Sequence, residues 1–224
     1  YDREGNSLAE GEIHGQNGGY PIAIALSNDA VKLAVSMINI NEGSVKSTIA
    51  FYNYGTVGQN EIDHCVGVNN YDDMVIPEME FTSNDRMVVF GDTKAVIFEG
   101  AQKPQAIAEI PMDEKTKSIF YNEHYIGIVT GNEDEAVTNH LAVYDENGKL
   151  VMEKDFGLDY SSIEFLTNNE ICIRNANVCD IYTVHGVYKF HHEFEEELFE
   201  IIPGKLKLNY TLVLKDTTQR IRLK

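Results

Sequence analysis

The densest group of side chains able to do chemistry lies in "KFHHEFEEELFE", where His191 and His192 stand beside Glu193, Glu195, Glu196 and Glu197. Imidazoles and carboxylates are ligands for a divalent cation, but a metal centre needs them to converge on one point. Successive residues of a strand point to opposite faces, so His191 and His192 do not readily share an ion there. Were the segment helical, its glutamates would form a solvated charged face. Residues 69–73 ("NNYDD") and 131–136 ("GNEDEA") offer the oxygen ligands that calcium takes. Neither has the alternating Asp/Asn positions, glycine and distal Glu of a calcium loop, so both read as acidic surface turns.

Covalent chemistry finds no better footing. There is no Gly-x-Ser-x-Gly elbow to present a serine nucleophile. Cys65 directly follows His64, and strand neighbours diverge, so the two make no Cys–His pair. Cys172 and Cys179 flank "IRNANV", which reads as a hairpin turn, and they would face each other across two paired strands. Two readings stay open: a cross-strand disulfide in an oxidising compartment, or two small buried side chains. Their spacing, without a second Cys or His pair, is not that of a zinc site. Paired carboxylates for glycoside cleavage are uninformative in a chain with 36 acidic residues. The glycines of "GTVGQN", residues 55–60, lack the Lys-Ser or Lys-Thr and the following helix of a phosphate loop. They are expected to form a bend between a third strand at 47–54 and an outer strand at 61–66. No catalytic, cofactor-binding or metal-ligating residue is assigned, and no cofactor is expected.

Composition narrows the partners. The chain has 224 residues, 43% of them hydrophobic, enough for a large core. Its 36 acidic and 18 basic residues leave a net charge of -18, which repels nucleic acid. No apolar run approaches the ~20 residues of a membrane span. Residues 1–17 are polar and contain no signal-peptide core, so the expectation is a cytosolic protein or a mature or truncated piece. Tyr52, Tyr54, Tyr71, Tyr121, Tyr125 and Tyr160 carry apolar bodies with polar tips. They would either pack blade against blade or form a protein-recognition patch.

The elements that must position these groups are strands. "PIAIALSNDAVKLAVSMINI" reads as strand, Ser-Asn-Asp turn, strand, and the figure recurs. Phe81 precedes Met87 by the same step as Phe120 precedes Ile126 and Phe165 precedes Ile171, with turn residues between. A weaker copy is "LFEIIPGKLKLNYTLVL". "LAVYDENGKLVMEKDF" adds a third strand, an Asn-Gly turn and an outer strand. A cadence of about 40–45 residues with four strands per unit is that of propeller blades. The fold expected is therefore all-β, a single propeller-like domain over 1–224 of about four to five four-stranded blades. Blades are placed near 20–70, 75–112, 117–157, 161–196 and 198–224, with 1–18 an outer strand of an incomplete blade. The last blade supplies three strands. Either the N-terminal strand completes it and closes the ring, or the chain is the C-terminal part of a larger propeller. The second arrangement leaves edges open to homo-oligomer formation.

"YPIAIALSNDAVKLAVS", "STIAFYNYGTVGQNEID" and the terminal "TTQRIRLK" resemble domain of unknown function 5711, over nearly the whole chain. The resemblance implies an uncharacterised bacterial protein with a membrane anchor and a repeat-built extracytoplasmic β region at the cell surface. It implies no catalytic residues, and no segment here supplies the anchor. The function expected is a non-enzymatic binding or scaffolding module recognising a protein or peptide. The competing expectation is a hydrolase or lyase, which would gather His, Asp or Glu from several blades in a central funnel.

Overall fold

The computed structural model describes residues 5, 19–41, 43–55, 65–112, 115–131, 138–167 and 169–223. The described residues hold nineteen strands and form four four-stranded sheets and one three-stranded sheet, all antiparallel and each in sequence order. The chain divides into two compact units, Tyr1–Glu114 and Lys115–Lys224.

In the first unit, β1 (Tyr20–Leu26), β2 (Lys32–Asn41), β3 (Ser44–Asn53) and β4 (Cys65–Asp72) make one sheet. The second contains β5 (Glu78–Phe81), β6 (Arg86–Phe90), β7 (Lys94–Glu99) and β8 (Gln105–Pro111). The first strands of the two sheets, β1 and β5, touch. β6 ("RMVVF") and β7 ("KAVIFE") are apolar without alternation because they are buried on both faces. Phe51 of the first sheet meets Phe98 of the second with ring centroids 5.2 Å apart.

The second unit has three sheets. They comprise β9 (Thr116–Tyr121), β10 (Tyr125–Gly131), β11 (Asn139–Asp145) and β12 (Leu150–Phe156); β13 (Ser162–Thr167), β14 (Glu170–Arg174), β15 (Val178–Thr183) and β16 (Tyr188–Glu193); and β17 (Leu198–Pro203), β18 (Asn209–Leu214) and β19 (Thr218–Arg222). β13 touches both β9 and β17, so these sheets follow one another face to face. Phe120 and Phe165 stack between the first two at 4.6 Å. Phe81 pairs opposite Met87 and Phe165 opposite Ile171, as the cadence requires. Phe120 instead lies opposite Gly127. Its ring fills the space a Cβ would need there, 2.2 Å from Cζ, and so demands glycine.

The expected outer strand at 61–66 is corrected at its far end; residues 61–64 lie outside the described residues. β4 runs Cys65–Asp72 and pairs with β3 from Tyr52–Cys65 to Lys46–Asp72. β3 is ten residues long, and its backbone groups need a partner along that length. The "NNYDD" stretch is consequently strand up to Asp72, with Thr48 Oγ1 donating to Asn70 Oδ1 at 2.9 Å, and only Asp73 turns. The expected outer strand at 1–18, most of the "GTVGQN" bend and the "GNEDEA" turn beyond Gly131 lie outside the described residues.

Polar ties register the first two sheets. The two Ser-Asn-Asp turns of the repeat meet: Asp29 N donates to Asn84 Oδ1 at 3.1 Å. Lys32, almost fully buried, donates from Nζ to Asn84 O at 2.8 Å and to Asp85 Oδ1 at 2.6 Å. Buried Ser36 and Ser47 donate to the carbonyls of Ile76 and Met74 in the connection between the sheets. Replacing Lys32 by Met keeps the stem and removes the charge-assisted bonds. Asp85 is half exposed and rehydrates, so the expected loss is about 1–2 kcal/mol, which a thermal melt reads as a drop of about 2–8 °C. An unchanged midpoint would show that packing alone holds these turns.

Candidate functional site

β13 ends at Thr167, β14 begins at Glu170, β15 ends at Thr183 and β16 brings Lys189 alongside. With the turn from Pro203 to Asn209, these ends line a cavity of about 460 Å³ in the second unit. That volume accommodates several side chains of a ligand. Glu170 opens a strand whose next three residues, Ile171, Cys172 and Ile173, are fully buried, so it is drawn inside with them. A buried carboxylate must be paired and hydrogen-bonded, and Glu170 is. Tyr210 Oη lies 2.6 and 2.7 Å from its two oxygens, Lys189 Nζ donates to Oε1, and Thr167 Oγ1 donates to Oε2 at 3.3 Å.

Burial alone would push the Glu170 carboxyl up. The hydrogen bonds from Lys189 and Tyr210, together with the ammonium charge, outweigh it and hold the group below its ordinary 4.5. Burial and the bond to Glu170 push the Tyr210 hydroxyl up, so it stays a donor. Three donors from the protein thus hold this carboxylate as a buried anion. At the rim, Leu208 adopts a φ of +65°, a left-handed conformation that costs a branched, bulky side chain free energy. Leu206 is 73% exposed between Lys205 and Lys207, both exposed. Among the described residues neither lysine is paired with a carboxylate.

The residues weighed from sequence fall elsewhere. His191 and His192 sit on β16 and diverge: His191 Nδ1 lies 2.8 Å from Asp180 Oδ1, whereas the His192 ring packs against Phe194 at 4.6 Å and Phe190 at 6.1 Å. Among the described residues, no three His, Cys, Asp or Glu side chains gather as a metal site. Tyr125 and Tyr160 pack within the second unit's core, and Tyr160 Oη bonds Ser118 Oγ at 2.7 Å, so these two serve sheet packing. Tyr71 packs partly buried against the first unit's core. Cys172 and Cys179 are both fully buried, with Sγ atoms 3.5 Å apart. On β1, Tyr20, Ile22, Ile24 and Leu26 all face water. Glu170, Lys189 and Tyr210 were not singled out from sequence; the one local signal was a carboxylate opening the aliphatic strand "EICIR".

Glu170 has a lower affinity for protons folded than unfolded, so its network stabilises the protein at neutral pH. That contribution disappears as pH falls from the ordinary carboxylate range through the lowered folded value. Tyr210→Phe removes the hydroxyl and leaves the ring. The expected loss at pH 7 is about 1–3 kcal/mol. Melts at decreasing pH should show the gap to the parent protein narrowing through that window; a gap constant with pH would mean the hydroxyl does not act through the carboxylate.

No helix of the described residues is long and apolar enough to cross a membrane. Among the many solved structures that resemble the chain are the following three. Sqt1 from Chaetomium thermophilum is 11% identical, with a TM-score of 0.54 over 87% of this chain and 55% of that one. Acylaminoacyl peptidase from Pyrococcus horikoshii is 12% identical, with a TM-score of 0.51 over 88% of this chain and 36% of that one. The β-propeller domain of the Trilobed protease from Pyrococcus furiosus, which has an open velcro topology, is 10% identical, with a TM-score of 0.50 over 91% of this chain and 70% of that one. At such identities the likeness shows the fold alone, and that fold is the β-propeller type expected from the cadence. The chain thus spans about half of Sqt1 and about a third of the peptidase. No curated protein matches the sequence. The sequence matches the family of unknown function DUF5711 over residues 1–223, and the chain belongs to that family.

Proposed function

We propose that the chain is a non-enzymatic binding module that takes an extended acidic segment of a protein partner at the cavity between its last two sheets. One observation carries this reading: the local charge is opposite to the global one. In a chain of net charge -18, the cavity rim presents Lys205 and Lys207 around exposed Leu206. The one acidic residue of the lining, Glu170, is neutralised by Lys189. Beyond about 8–10 Å salt screens the acidic remainder of the surface, so the rim lysines dominate at contact. A peptide alternating carboxylates with an apolar side chain would match Lys–Leu–Lys in charge and in greasiness. Glu170, tied to an ammonium, a phenol and a hydroxyl of the protein, supports recognition over catalysis. Work outside the cytoplasm, at the bacterial cell envelope, belongs to the same proposal and rests on what the resemblance read from the sequence implies.

Fluorescence anisotropy with a labelled peptide of alternating Glu and Leu tests the reading. Saturable binding is expected, weaker by at least about tenfold for a Gln–Leu peptide and for the Lys205→Glu/Lys207→Glu variant. Equal binding of the Gln–Leu peptide, or an unaffected variant, overturns it. Self-association is proposed through β19, which leaves one edge of the three-stranded sheet unpaired among the described strands. Light scattering is expected to give a mass above the 25.2 kDa of one chain, rising with concentration; a constant 25.2 kDa at millimolar protein rejects it.

A further inference from the structure

The sheet that walls the cavity also holds two thiols in contact. Cys172 lies on β14 opposite Ile181, and Cys179 lies on β15 opposite Arg174. The two cysteines are therefore diagonal neighbours, offset by two positions. Side chains two positions apart on a strand share a face, so both thiols point to the same side of the sheet. Their Sγ atoms are 3.5 Å apart, and both residues are fully buried. Leu198, Ile201 and Leu212 belong to the same buried cluster. The hairpin that carries them is held tightly at its tip: Asn175 Oδ1 accepts from Asn177 N at 3.0 Å and Val178 N at 2.8 Å, and Asn175 N donates to Val178 O at 3.0 Å. The two sulfurs are thus kept together by backbone register and not by a flexible loop.

We propose that Cys172 and Cys179 are a redox-responsive pair that closes to a disulfide in the folded protein and staples β14 to β15. A bond requires the sulfurs to approach by about 1.5 Å; because diagonal strand neighbours stand roughly 7–8 Å apart, closure takes rotation about the two Cα–Cβ bonds together with a small shift of the backbone. The oxidant named is a peroxide. One thiol attacks a peroxide oxygen, the O–O bond breaks, and a sulfenic acid and one water form. The second thiol then attacks that sulfur, the S–O bond breaks, and the disulfide and a second water form. Two thiols are oxidised by two electrons in all, and hydrogen peroxide is reduced to two waters. Burial makes the pair slow to react and selective, since only a small neutral oxidant entering during local opening of the hairpin reaches it. The staple would stiffen the two strands whose far ends carry Glu170 and Thr183 into the cavity.

The geometry sets a direct test, because Arg174 separates the two cysteines and trypsin cuts after it. Protein carrying Cys65→Ser is treated in its folded state with hydrogen peroxide, quenched with catalase, then alkylated in denaturant and digested. The expected product is a cross-linked pair of peptides, residues 155–174 and 175–189, about 2 Da lighter than their sum and separated by dithiothreitol. The unsubstituted protein should lose two of its three alkylatable thiols, so the result does not depend on the variant folding. Amide exchange across 172–181 should slow and the melting midpoint rise by a few degrees in the oxidised form. Both thiols remaining alkylatable, or gaining oxygen without cross-linking, overturns the proposal.

Discussion

Everything in this fold depends on covering sheets that are apolar on both faces. β6 and β7 carry no alternation that would let one side meet water. Their sheet gains its burial only when both faces are covered, at roughly 25 cal/mol for each Å² removed from water. The same demand places Phe51 on Phe98 in one unit and Phe120 on Phe165 in the other. Within each unit, face-to-face succession, not strand pairing between sheets, is thus what joins consecutive repeats. Non-directional packing of this sort sets the distance between sheets but not their rotational offset. The polar contacts supply that: Lys32 on the neighbouring turn, and Ser36 and Ser47 on the connection beyond.

The interior tolerates charge under one condition. Glu170 enters the cavity floor only because a phenol, an ammonium and a hydroxyl arrive from three other strands to meet it. Two of these partners, Lys189 and Tyr210, are far from it in sequence, and Tyr210 belongs to the last sheet, so the carboxylate is also a checkpoint on correct docking of the last two sheets. A misplaced last sheet would withdraw Tyr210 and leave a buried anion undercompensated, which is far costlier than a lost neutral contact. Among the described lining residues Glu170 is the one acidic group, and the arrangement commits it to structure and leaves the rim to its lysines.

The repeat was legible because local chemistry writes it. Phe, a Ser-Asn-Asp or Asn-rich turn, and an aliphatic run record a hairpin without any knowledge of distant residues, and the three-strand final unit follows from the same count. The outer strand of the first sheet was ended too early because Asn69 to Asp72 look like a turn by composition. Their pairing is dictated by the length of β3, a tertiary constraint that overrides propensity. The diagonal offset of Cys172 and Cys179 was hidden too, since the hairpin's symmetry puts them near each other but the register decides the angle. Glu170, Lys189 and Tyr210 were illegible for a plainer reason: they converge only after two sheets have packed.

β1 leaves Tyr20, Ile22, Ile24 and Leu26 in water, an oily stripe along an otherwise strongly anionic body. Attraction between such stripes acts at contact, whereas repulsion between bodies of net charge -18 acts across the Debye length. Ionic strength therefore sets the colloidal behaviour of the chain: dilute buffer keeps molecules apart, and added salt shortens the barrier until adhesion wins.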